Sequence, residues 1–143
     1  MSAGVRASVL AIARSFIGTP YRHQGSRRGV GCDCLGLIRG VWRELYGSEP
    51  EDPGPYTPDW AESSGEDRLM AAALRHLRPV AVTEVQPGDV LLFRWSAAAV
   101  SKHCGIVDEG QRLIHAYEGS AVVSSTLASA WMRRISSAFA FPE

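Results

Sequence analysis

The sequence predicts an α+β domain, with N-terminal helices packed on an antiparallel β-sheet. Three observations carry this. Apolar residues recur at helical spacing in the first half of the chain. From residue 80 the pattern changes to short β-branched and aromatic runs separated by turn residues. Helices first and strands later is the order of an α+β fold, and 143 residues with 45% hydrophobic content suffice for one core.

The elements follow in order. Residues 5–17 place Val5, Val9, Ile12 and Phe16 on one helical face, and Gly18, Thr19 and Pro20 stop the helix. YRHQGSRRGVG, residues 21–31, is a polar, glycine-rich loop. From Cys34 to Tyr46 a second helix presents Leu37, Ile38, Val41, Trp42 and Leu45, with Asp33 to cap its first turn and Gly47 to end it. SEPEDPGPYTPDW, residues 48–60, reads as an irregular proline-rich loop, and residues 66–77 as a short third helix. A turn at Pro87-Gly88-Asp89 leads into a strand over Val90–Trp95. Further strands are expected around His103–Val107, Arg112–Tyr117, Val122–Ser125 and Ile135–Phe141. The whole of 1–143 is expected to form a single domain.

Composition excludes several roles. Fifteen basic and fifteen acidic residues give a formal net charge of zero, so no broad field draws the chain to nucleic acid or an anionic membrane, although Arg27 and Arg28 form a local patch. The aromatics do not interleave with Lys or Arg as a single-strand binder requires. The opening MSAGVRASVLAIARSFIG has a short apolar run containing Arg14 and is read as part of the mature fold, made in the cytoplasm without a signal peptide. No stretch approaches the roughly 18 apolar residues of a membrane span.

Chemistry concentrates in GVGCDCLGLIRGVW, residues 29–42. Zinc held by Cys32, Cys34, Cys104 and His103 is disfavoured, because adjacent residues of a strand point to opposite faces and Cys-x-Cys is tighter than usual zinc spacing. A redox pair requires Cys-x-x-Cys beside a βαβ pattern, and neither is present. Cys32 and Cys104 read as plain buried cysteines. Cys34 sits at the first turn of an amphipathic helix, where unpaired N–H groups and the helix dipole favour a thiolate. Glycines 29, 31 and 36 allow close backbone approach and leave the sulfur uncrowded.

A nucleophile needs a base. HCGIVDEGQRLIHAY, residues 103–117, reads as a hairpin with a three-residue turn at Asp108-Glu109-Gly110. That register sets Val107 opposite Gln111, Gly105 opposite Leu113 and His103 opposite His115, with the two histidine Cβ atoms ~5 Å apart on one face. His103 then suits a base and His115 its orienting group. His23 lies in the glycine-rich loop with no pattern to fix it, and His76 lies within the third helix.

With these residues singled out, the sequence resembles the NlpC/P60 family of papain-like cell-wall peptidases. GTPYRHQG at 18–25 resembles its opening segment, DCLGL at 33–37 its nucleophile motif and QPGDVLLF at 86–93 its strand entry. HCGIV at 103–107 resembles its base motif and LIHA at 113–116 the strand bearing a third polar residue. The order agrees from about residue 8 to 125. Leu35 stands where serine is usual and Cys104 where valine is usual.

The resemblance implies a papain-like core with Cys34 as nucleophile, His103 as base, His115 as third member and Tyr21 lining the oxyanion site. It implies no metal or organic cofactor. It implies peptidoglycan stem peptides as substrate, cut between D-glutamate and a diamino acid. The insertion at about 48–78 resembles the phage-type branch, including the peptidase of gene transfer agents, with phage-like tail proteins as partners and action at the cell wall or periplasm. Competing expectations are a structural tail-tip component, and an amidase or acyltransferase on another amide. Residues 22–30 and 50–65 are expected at the rims of the site. On oxidation, Cys32 is the expected partner of Cys34.

Overall fold

The structure is a computed structural model that describes residues 2–56, 67–96 and 98–143. Helices α1 (Ser2–Ser15), α2 (Cys34–Tyr46) and α3 (Arg68–His76) come before most of the strands. A two-stranded ribbon, β1 (Ser26–Arg27) and β2 (Gly31–Cys32), lies between α1 and α2. Strands β3 (Arg78–Val80), β4 (Val90–Phe93), β5 (His103–Asp108), β6 (Arg112–Ala116), β7 (Val122–Thr126) and β8 (Ile135–Ala140) form one antiparallel sheet, and α4 (Ser129–Met132) precedes β8. The strand order is β3-β8-β4-β5-β6-β7, a mixed α+β architecture as expected. No helix is long and apolar enough to cross a membrane among the described residues.

The sheet has two apolar faces. Val90, Leu92, Cys104, Ile106, Ile114 and Phe139 meet Val9, Phe16, Leu37 and Val41 of the N-terminal region. On the other face Leu91, Phe93, Val107, Leu113 and Ala138 form a second cluster with Leu127 and Trp131. Burying apolar area on both faces fixes register, because a one-residue slip would turn each strand's inward set outward. Helix α1 is anchored at two points. Arg6 Nε donates to the fully buried Asp89 at 2.9 Å, and Arg14 reaches Asp108 at 2.6 Å.

Three elements depart from the sequence reading. The glycine-rich loop carries the β1–β2 ribbon. Strand β3, with Pro79 inside it, was not expected; it is tolerated because β3 is the sheet edge, where a missing N–H leaves no ladder bond unmade. The β5–β6 hairpin is shifted. Asp108 pairs with Arg112 and Val107 with Leu113, so the loop is Glu109-Gly110-Gln111. Its last two residues adopt left-handed φ angles of 70° and 56°. Asp108 stays in the strand because its carboxylate accepts from Arg14, from Ser124 Oγ and from the Glu109 N–H.

Candidate active site

Asp33 organises the start of α2. It is 2% exposed, and its carboxylate accepts from the Gly36 N–H at 2.7 Å, the Gln24 N–H at 2.6 Å and the Tyr56 hydroxyl at 2.5 Å. The first bond is the helix cap that the sequence predicts. The second requires Gln24 to adopt a left-handed φ of 64°, a conformation that costs free energy in a non-glycine residue and here aims an N–H at the carboxylate. The third brings in the proline-rich loop, whose Tyr56 carbonyl accepts from His23 Nε2 at 2.8 Å. Gly36 makes the approach possible, since a Cβ there would lie 1.7 Å from the Gly25 carbonyl oxygen. Burial pushes the Asp33 carboxyl upward, opposed by the hydrogen bond from Tyr56.

Cys34, the next residue, is 7% exposed. Its thiol is held well below the ordinary cysteine range, first by the Cys104 side chain and then by the His103 ring, against the effect of burial. Cys104 is driven in the opposite direction by the same contact. Cys104 is 1% exposed in the core that meets α2, the buried cysteine that the sequence reading expects. Cys32 behaves as expected: it is fully buried, donates to the Asp33 carbonyl at 3.2 Å, and burial pushes its thiol up to about 12.

The histidines meet by a route the sequence reading did not anticipate. With Val107 opposite Leu113, the hairpin register carried along the strands puts His115 across from Gly105, not from His103. The two imidazoles are diagonal neighbours on one face. His103 Nε2 lies 2.8 Å from His115 Nδ1. That leaves His103 Nδ1 for Cys34. The far nitrogen of His115, Nε2, lies 2.9 Å from Ser125 Oγ on β7. His115 is 2% exposed. Burial, followed by the charge of His103, lowers it to about 3, so His115 is the neutral imidazole of the pair.

These groups lie at a cleft of about 460 Å³ lined by Tyr21, Asp33, Cys34, Tyr56, His103 and Trp131, among others. Tyr21 is on the wall as expected, and burial drives its phenol upward, so it keeps its proton. His23 and Tyr56 come from the two loops expected at the rims; residues 57–66 of the second lie outside the described residues. His76 is remote, paired with Glu51. Among the described residues no group of three or more Cys, His, Asp or Glu is arranged to hold a metal.

The sequence reading missed the aromatic wall. Trp95 stacks on His103 with centroids 6.2 Å apart, and Trp131 approaches both imidazoles at 5.7 and 5.3 Å. Trp131 belongs to a four-residue helix, too short to show a period. Trp95 was placed in a strand that ends at Phe93.

An acidic thiol that shares a cleft with an imidazole, itself hydrogen-bonded to a second, neutral imidazole, has the working parts of a cysteine hydrolase. The family model described as NlpC/P60 family matches residues 18–139, and the chain belongs to that family. It is a cysteine peptidase. The "Probable endopeptidase NlpC" of Escherichia coli (strain K12) is 25% identical over 122 residues, covering 85% of this chain and 68% of the relative. The "Gamma-DL-glutamyl hydrolase" of Bacillus subtilis (strain 168) is 30% identical over 122 residues, covering 83% of this chain and 25% of the relative. The crystal structure of the NlpC/p60 domain of peptidoglycan hydrolase SagA superposes with a TM-score of 0.63 at 27% identity, covering 95% of this chain and 98% of that one.

Proposed function

We propose that the chain hydrolyses an amide bond of peptidoglycan stem peptides, with Cys34 as nucleophile, His103 as general base and acid, and His115 as the group that orients His103. The observation that carries this reading is the thiol–imidazole–imidazole series opening on the cleft. The substrate class is supported by the relatives named as a peptidoglycan hydrolase and an endopeptidase, and the D-glutamyl–diamino acid bond by the one named as a glutamyl hydrolase.

The Cys34 thiolate attacks the carbonyl carbon, and the carbonyl oxygen becomes an oxyanion. The Cys34 backbone N–H and the protonated Tyr21 phenol are the donors that we assign to it, supported by their position at the cleft. The imidazolium of His103 gives its proton to the departing amine, the C–N bond breaks and a thioester remains. His103, now neutral, takes a proton from water as the water oxygen attacks the thioester, and the Cys34 thiolate and a carboxylic acid product leave. His115 stays neutral throughout and accepts the hydrogen bond of the imidazolium. We assign the insertion, the proline-rich loop and α3, to a phage-type setting in which a tail-like particle carries the domain to the cell wall; its support is the resemblance of that segment.

Digestion of purified peptidoglycan and defined stem peptides under reducing conditions, read by mass spectrometry beside Cys34→Ala, tests the reading. Products ending at D-glutamate with the intact protein alone are expected. Products from another amide overturn the bond assignment, and no products from folded, reduced protein overturn hydrolysis in favour of an assembly role.

A further inference from the structure

The series of hydrogen bonds does not end at His115. Its Nε2 faces Ser125 Oγ at 2.9 Å, and the surroundings of that ring leave little else to satisfy the nitrogen. His115 is 2% exposed. Its ring meets the aromatic groups of Trp131 at 5.3 Å and Tyr117 at 5.7 Å. The position of Ser125 follows from register. On the β6–β7 ladder Val123 is opposite His115 and Ser125 is opposite Leu113, so Ser125 is the diagonal neighbour of His115 on the same face.

We propose that Ser125 is a positioning residue for the reaction, a fourth member that holds His115 in the tautomer the catalytic pair needs. The proposal rests on the assignment of Cys34, His103 and His115 made above. When Cys34 is a thiolate, His103 carries a proton on both nitrogens. Its Nε2–H donates to His115, so His115 Nδ1 must present a lone pair. Neutral His115 then carries its one proton on Nε2, and that N–H needs an acceptor. A serine hydroxyl accepts or donates, and the charge on His103 decides which: Ser125 Oγ accepts. If the hydroxyl is removed, the buried Nε2–H is left without a partner. The balance then moves toward the neutral form of the pair, in which His115 Nδ1–H donates to an unprotonated His103 Nε2 and Cys34 keeps its proton.

The test uses the full chain with ¹⁵N-labelled histidine and the variants Ser125→Ala and Ser125→Thr. The expected result in the intact protein is a single His115 tautomer protonated on Nε2. Ser125→Ala shifts the ring toward the Nδ1-protonated form and slows iodoacetamide alkylation of Cys34 near neutral pH by roughly tenfold, the loss of the hydrogen bond from the charged His103 ring to His115. Ser125→Thr, which keeps the hydroxyl, restores both. On stem peptides kcat falls in Ser125→Ala while KM holds. A Ser125→Ala protein that keeps the Nε2–H tautomer and alkylates at the intact rate overturns the proposal. So does a Ser125→Thr protein that behaves like Ser125→Ala. The tautomer and alkylation readouts need no substrate, so their success without hydrolysis by any form supports Ser125 and overturns only the peptidase assignment.

Discussion

Replacing Cys104 with valine isolates the most unusual contact of the site. Valine is close to cysteine in size and apolar, so it fills the same buried volume against α2 without a hydrogen-bond donor. Three influences draw the Cys34 thiol down: the Cys104 side chain, the His103 ring and the Cys104 backbone. The substitution removes the first and leaves the other two. A hydrogen bond to a charged group is worth about 1.5–3 kcal/mol, and S–H is a weak donor, so the lower end applies. About 1.4 kcal/mol corresponds to one pH unit. The pH midpoint for alkylation of Cys34 by iodoacetamide is therefore expected to rise by about one unit in Cys104→Val, with roughly tenfold less thiolate on the acid side. Cys32 does not interfere, since it is fully buried and its own thiol is pushed up to about 12. The midpoint belongs to the Cys34–His103 pair as a unit, and both proteins are compared by the same probe. A midpoint that stays in place, or falls, would refute the reasoning and assign the acidity of Cys34 to His103 and the backbone alone.

Four further outcomes are expected. Gly36→Ala places a methyl group 1.7 Å from the Gly25 carbonyl oxygen, and overpacking against backbone costs about 1–3 kcal/mol, read as a lower urea midpoint. Asp33→Ala strands the Gly36 and Gln24 N–H groups and the Tyr56 hydroxyl, with a stability loss of about 3 kcal/mol or more; a loss below about 0.5 kcal/mol contradicts the assigned network. His115 has a folded-state value of about 3 against 6.5 ordinarily, so the unfolded chain binds more protons in between. Its contribution is present in full above pH 6.5 and is lost as pH falls toward 3, at about 1.4 kcal/mol per unit; urea titrations in His115→Asn lose that slope. Oxidation by a small disulfide reagent, which accepts two electrons and two protons from a thiol pair, should join Cys34 to Cys104, not to Cys32; peptide mapping that finds Cys32–Cys34 contradicts the assigned Cys34–Cys104 interaction.

The sequence was most informative where a local rule acts alone. Asp33 and Gly47 bound α2 because capping is set by the residue and its immediate backbone. The hairpin was legible as a hairpin, and both histidines share a face because side-chain period is two. Its register was not, because Asp108 is held in the strand by Arg14 and Ser124, partners 94 and 16 positions away. Tyr56, Trp131 and Ser125 were missed for the same reason. Each enters the site through tertiary packing, and none carries a local signature. Cys34 lies under the influence of both His103 and Cys104, neighbours that alternation along a strand turns to opposite faces.

That last arrangement bears on when the thiol becomes reactive. The largest influences that make Cys34 acidic come from residues 103 and 104, some seventy positions further along the chain. A contact so distant in sequence forms late and is lost when the sheet is lost. While the chain is being made, and whenever it unfolds, Cys34 is an ordinary thiol with little thiolate at neutral pH. Reactivity at neutral pH is therefore a property of the completed fold. The rate at which Cys34 alkylates at neutral pH will fall as the chain unfolds globally, and a cell that holds the unfinished chain is not exposed to an active nucleophile.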